Sequence, residues 1–83
     1  MDATLLVTRL AEKIRLRRLN RGLTQADLAS LAGLTRQKVI AVEKGSMAVG
    51  MSAYAKVLAA LDCELEVIPA AMPTLDEIHG LFD

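Results

Sequence analysis

The stretch from Gly22 to Gly45 constrains this chain most, because its glycines, caps and apolar positions divide it into two short helices joined by a tight turn. Thr24 supplies an N-cap hydroxyl, and Asp27 three residues later completes a variant of the capping box. Ala26, Leu28, Ala29, Leu31 and Ala32 then form a small apolar helix over 25–32 that stops at Gly33, a natural C′ residue. Leu34 follows as a core plug. Thr35 caps a second helix over 36–44, with Val39 and Val42 as its buried face, and Gly45 ends it.

The flanks supply further helices. The spacing predicts a first helix over Ala3–Asn20, with Leu6, Leu10, Ile14 and the stem of Arg18 recurring on one face and Gly22 ending it. After the loop 46–50 a fourth helix runs from Met51 to Leu61. Ala55, Leu58 and Leu61, helped by Met51 and Val57, are expected to close the core. At 83 residues the chain is one small domain with a thin core. Apolar residues make up 53 % of it and the only aromatics are Tyr54 and Phe82, so that core is aliphatic, as suits packed helices.

Cys63–Pro69 changes character, alternating apolar and acidic residues before the proline, and reads as one β-strand. A lone strand cannot satisfy its own backbone groups, and no second strand candidate exists in the sequence. The simplest solution is antiparallel pairing of Glu64, Leu65, Glu66, Val67 and Ile68 with the same residues of a second copy across a twofold axis. The alternative is an extended tail lying on the helices. After Pro73, a Thr74–Glu77 capping box opens a short helix lined on one side by Leu75, Ile78, Leu81 and Phe82. It is too short to be stable without docking on something. The expected organisation is therefore a helical domain over 1–61 and a strand-plus-helix segment over 62–83 for dimerisation or partner binding.

The formal net charge is zero, but its distribution is not even. Residues 1–45 carry nine Lys or Arg against four acids, a net of +5, and residues 46–83 carry Lys56 against six acids, a net of −5. Such asymmetry points to one polyanion-binding end and a second end with other work. Cys63 is the single cysteine, so no intrachain disulfide forms, consistent with a reducing cytosol. The longest apolar runs fall far short of the roughly 20 residues that span a membrane, and no secretory signal opens the chain. Catalysis finds no support. His79 stands alone on the tail helix, Cys63 has no histidine or second cysteine nearby, and there is no glycine-rich phosphate loop. No catalytic residue, metal or cofactor is expected.

The residues Ile14 to Arg18, Gly22 to Ala29, Ala32 to Thr35, Val39 and Val42 to Gly45 together resemble the lambda-repressor-like, or xenobiotic-response-element, helix-turn-helix family over roughly 10–61. The match is specific because the glycines, the caps, the Thr24-Gln25 pair, Arg18 and the Glu43-Lys44-Gly45 ending all fall at the right spacing together. The resemblance implies an all-α fold of four to five helices, here with one C-terminal strand paired across a homodimer. It implies a second helix of the motif that reads double-stranded DNA through Thr35, Arg36, Gln37, Ile40 and Ala41. Arg36 suits guanine O6 and N7, Gln37 suits adenine, and Ala41 or Ile40 suits a thymine methyl. Thr24, Gln25, Lys38, Arg17 and Arg21 are the implied phosphate contacts, which position without reading sequence. Arg18 and Glu43 are the implied internal salt bridge. The loop 46–50 departs from the family in having no charge, so fewer phosphate contacts are expected there.

The strand after the fourth helix is similar to the HipB-type antitoxin branch. That likeness implies a cytoplasmic bacterial repressor of its own operon, acting on a palindromic operator and holding a HipA-like toxin kinase. A stand-alone phage or housekeeping regulator remains an alternative, as does a protein-interaction module that does not bind DNA.

Overall fold

The computed structural model describes residues 2–70. The expected helix over 74–82 lies outside the described residues. Four helices follow in order: α1 (Ala3–Asn20), α2 (Gln25–Ala32), α3 (Arg36–Glu43) and α4 (Met51–Ala60). None is long and apolar enough to cross a membrane.

Each start has a local cause. The Asp2 carboxylate accepts from the Thr4 amide at 3.4 Å and opens α1. At α2 both halves of the capping box form: the Asp27 amide donates to the Thr24 hydroxyl, and the Thr24 amide donates to the Asp27 carboxylate, each at 3.0 Å. The Thr24 amide, with a smaller contribution from its side chain, holds the Asp27 carboxyl below its usual range. This contribution to stability is therefore full above the ordinary carboxylate pKa and is lost as pH falls through the lowered value. Gly33 ends α2 in the left-handed region at φ +69°, which lets the Leu34 amide reach back to the Ala29 carbonyl at 2.9 Å.

One aliphatic core joins the four helices. Ile14 of α1, Leu28 and Ala29 of α2, Val39 and Val42 of α3, and Ala53, Tyr54, Val57 and Leu58 of α4 form one buried cluster, with Leu61 just beyond. The buried stripe of α1 differs from the expected one. Ala11, Ile14 and Arg18 are buried and Val7 and Leu10 half-buried, while Leu6 is exposed. A series in steps of four overshoots each turn by about 40°, so Leu6 lies about 120° around the helix from Arg18. Val7, Ala11, Ile14 and Arg18 alternate steps of four and three and stay in line. The same correction applies to α4, where Met51 and Ala55 face solvent and Tyr54, Val57, Leu58 and Leu61 keep the i, i+3, i+4, i+7 register. Leu31 of α2 is likewise exposed.

Asp62, at φ 56°, closes α4 in the left-handed region, with the Cys63 amide bonded to the Leu58 carbonyl at 2.9 Å. From there the chain leaves the domain. Residues 64–70 are exposed throughout and carry no strand, and no described group bonds their backbone amides. The strand expected over 63–69 is thus not formed within one chain. The reason is the one that made it unusual in the sequence: a strand needs a second strand, and the helical domain offers none.

Gly45 has a second reason to be glycine. It is buried at φ +72°, and a Cβ there would lie 3.1 Å from the Thr8 Cα and 3.3 Å from the Thr8 nitrogen, both backbone atoms of α1. At Gly33 a Cβ would meet nothing within 4 Å. Gly33→Ala should therefore cost only the left-handed strain of about 1–2 kcal/mol. Gly45→Ala should cost visibly more, since α1 and the end of α3 must also separate. Urea unfolding of the two variants measures the difference, and equal losses would show that the α1 backbone yields freely.

Candidate nucleic-acid interface

The outward side of α3 has a simple origin. Val39 and Val42 are pulled into the core, so the first turn of the helix must face away from it. Thr35, Arg36, Gln37 and Lys38 are all exposed, and Ile40 and Ala41 are half-buried beside them. The Thr35 hydroxyl oxygen accepts from the Lys38 amide at 3.2 Å, which caps the helix and leaves the hydroxyl proton available. No described group bonds the Arg36 and Gln37 amides, the first two donors of α3. The same holds at the start of α2 for Gln25 and Ala26. Free amides at a helix N-terminus favour an anion there.

The two N-termini share one shallow cleft. Leu19 and Gly22 at the end of α1, Thr24, Gln25 and Ala26 at the start of α2, and Arg36 at the start of α3 line it. It thus brings Thr24 and Gln25, the sequence's phosphate candidates on α2, beside Arg36, a base-reading candidate.

Arg18 holds this arrangement in place. Its Nε donates to Glu43 Oε2 at 2.6 Å and its Nη2 to Glu43 Oε1 at 3.0 Å, a two-pronged pair between the end of α1 and the end of α3. The side chains are only 9 % and 3 % exposed. The remaining arm, Nη1, donates to the Leu23 carbonyl at 2.8 Å. Gln25 adds a longer bond from its Nε2 to Glu43 Oε1 at 3.4 Å. Among the described residues no buried side-chain nitrogen or oxygen lacks a partner, so the polar cluster is fully satisfied.

The remaining candidates are placed differently. Arg17 is exposed on the last turn of α1. Arg21 turns toward the far end of α4, where its guanidinium meets the Ala60 carbonyl and the Asp62 carboxylate, each at 3.4 Å. A phosphate contact by Arg21 therefore requires it to leave this weak, exposed pair. Two contacts had no clear signal in the sequence. Leu23 serves Arg18 through its backbone, which no side-chain pattern reveals. Tyr54 donates from its phenol to the Ser46 carbonyl at 2.8 Å and ties the uncharged loop after α3 to α4. Burial pushes the Tyr54 phenol above its usual pKa, which keeps it a donor.

Two short helices crossing at a glycine turn, the second with its first turn outward and its last turn anchored inward, define a helix-turn-helix unit. The chain belongs to the lambda-repressor-like helix-turn-helix family, whose model matches residues 14–68. That membership makes it a DNA-binding domain of the transcription-regulator kind. A solved structure titled "MDT Protein" is similar to it, with a TM-score of 0.70 and 25 % sequence identity over 77 % of this chain and 90 % of that one. No curated protein sequence matches it.

Removing one partner of the buried pair leaves the other charge stranded. Arg18→Met should cost about 3–5 kcal/mol, the usual penalty for an uncompensated buried charge. Arg18→Met combined with Glu43→Leu should recover much of that loss, because neither charge is then left unpaired. Thermal or urea unfolding of the single and double variants separates these outcomes. A single variant as stable as the parent would mean that water reaches the site.

Proposed function

We propose that this protein is a dimeric, sequence-specific transcriptional repressor that binds an inverted-repeat operator through α3. The observation that carries this is the first turn of α3. Four polar side chains, Thr35, Arg36, Gln37 and Lys38, all face solvent on a helix whose other end is locked by Arg18 and Glu43. Solvated side chains on a braced helix suit base edges in a major groove. In this reading Arg36 contacts a guanine, Gln37 an adenine, and Ile40 and Ala41 thymine methyls. Thr24, Gln25, Lys38 and Arg17, with Arg21 once released from Asp62, hold the phosphates. The basic first half of the chain raises the local concentration of DNA without selecting sequence.

Dimerisation uses the arm that the domain leaves uncovered. Val67 is 101 % exposed and Leu65 and Ile68 are largely exposed, so pairing two arms antiparallel satisfies their backbones and covers apolar surface together. The narrower form of the proposal is a HipB-like antitoxin that represses its own operon and holds a toxin kinase through its acidic second half. The charge asymmetry of the sequence supports that form.

Arg36→Ala or Gln37→Ala should weaken binding to the cognate operator by about 1–3 kcal/mol and leave random duplex almost unaffected. Lys38→Ala should weaken both alike and flatten the salt dependence by about one unit of slope. Titrations on both duplexes at several salt concentrations distinguish the two behaviours. Affinity that does not respond to salt in the parent protein would indicate an interaction module rather than a DNA binder.

Val67→Pro removes a backbone donor from the shared ladder. Sedimentation should then show a monomer at micromolar concentration, with the helical circular dichroism retained and operator affinity lowered. A variant that stays dimeric would assign the interface to helices instead.

A further inference from the structure

Val7 and Leu10 of α1, Met47 and Val49 of the loop after α3, and Met51 and Tyr54 of α4 line an open apolar groove on the domain. None of the residues proposed above to contact DNA lines it. Met47 and Met51 are 59 % and 65 % exposed, a large cost for unbranched apolar side chains that adapt readily to a partner. Along α1, helical spacing places Lys13 and Arg17 on one face with Leu6 and Leu10, and Arg9 one turn before Lys13. All three cations are exposed, and none forms an ion pair among the described residues. The groove therefore calls for a short segment with one apolar side and negative charge.

The sequence over 74–83 has that chemistry. Leu75, Ile78, Leu81 and Phe82 recur at helical spacing, and Asp76, Glu77 and Asp83 are its only charged residues apart from His79 if protonated. It contains neither Lys nor Arg.

Direction decides whose segment it is. The arm from 64 to 70 is exposed throughout and leaves its own domain at the foot of α4, whereas the groove opens at the Met51 end of that helix. In an antiparallel pair of arms, Pro69 of one copy falls near Cys63 of the other, so each chain runs on toward its partner's domain. From Ala60 at the foot of α4 to Tyr54 at the near edge of the groove is about 9 Å of helix, within the roughly 13 Å that four residues such as 70–73 can span at most.

We propose that residues 74–82 of one copy dock in the Val7–Met51 groove of a second copy, their apolar side on Met47, Met51 and Tyr54 and their carboxylates toward Arg9 and Lys13. This rests on the arm-to-arm dimer proposed above. Its consequence is an exchanged tail, with each DNA-reading domain clasped by its partner and the loop after α3 covered.

The test uses the full-length protein with methyl-labelled methionine. One sample mixes labelled and unlabelled copies so that only contacts between copies are detected. Contacts between the Phe82 ring of one copy and the Met47 and Met51 methyls of the other are expected. Leu75→Asp with Ile78→Asp, which keeps the Phe82 ring, should abolish them and move both methyl resonances, with the helical circular dichroism unchanged. Lys13→Glu should weaken them. Sedimentation of the same samples separates the two proposals. A dimer without these contacts overturns the docked tail and leaves the arm pairing intact, whereas a monomer overturns both. The same contacts found within one copy overturn the exchange.

Discussion

The two-pronged bond between Arg18 and Glu43 is the interaction on which the rest of the recognition surface depends. It joins the last turn of α1 to the last turn of α3, with Leu23 and Gln25 bonded into the same cluster. A helix of eight residues has little stability of its own and would fray from both ends. Here one end is capped by Thr35 and the other is held by a guanidinium that is itself buried. A buried ion pair is weak evidence of net stability, because both charges must be desolvated. Its value is geometric. The planar fork of arginine permits only a narrow range of orientations, so it sets how α3 projects from the domain.

The polar cluster also separates two tasks that a small domain must combine. The core is aliphatic and nondirectional, and it would tolerate some rotation of α3 about Val39 and Val42. Hydrogen bonds with fixed donors and acceptors do not tolerate it. Close contact reinforces the same restraint, since a Cβ on Gly45 would crowd the α1 backbone at 3.1 Å from the Thr8 Cα. The end of α3 is thus pinned by an ion pair on one side and by backbone packing on the other. The first turn, where Arg36 and Gln37 stand, is left in solvent.

The domain is less complete at its other end. Past Asp62 the arm carries Leu65, Val67 and Ile68 into solvent, and the Val7–Met51 groove is open. Apolar side chains on an arm and an apolar groove on a domain are complementary features, and neither is covered among the described residues. A thin core in a chain of this length leaves few residues to cover such surfaces from within.

Local chemistry made much of this legible beforehand. The four helices, the capping box at Thr24 and Asp27, the left-handed turn at Gly33 and the inward face of Val39 and Val42 follow from short-range rules of spacing and capping. Family resemblance pointed to Arg18 and Glu43, which are far apart in sequence. Other features depended on how helices pack. The buried face of α1 runs through Val7, Ala11, Ile14 and Arg18 and not through Leu6, because a four-residue step drifts around the helix and the packed neighbours decide which line of residues is covered. Met51 and Ala55 of α4 faced outward for the same reason. Arg21 was drawn toward Asp62 by a neighbour that only the folded chain brings near. The sequence by itself determined where helices begin and end, because caps and glycines act on the adjacent backbone. Tertiary structure alone decided which sides those helices show one another, because that depends on atoms tens of residues away.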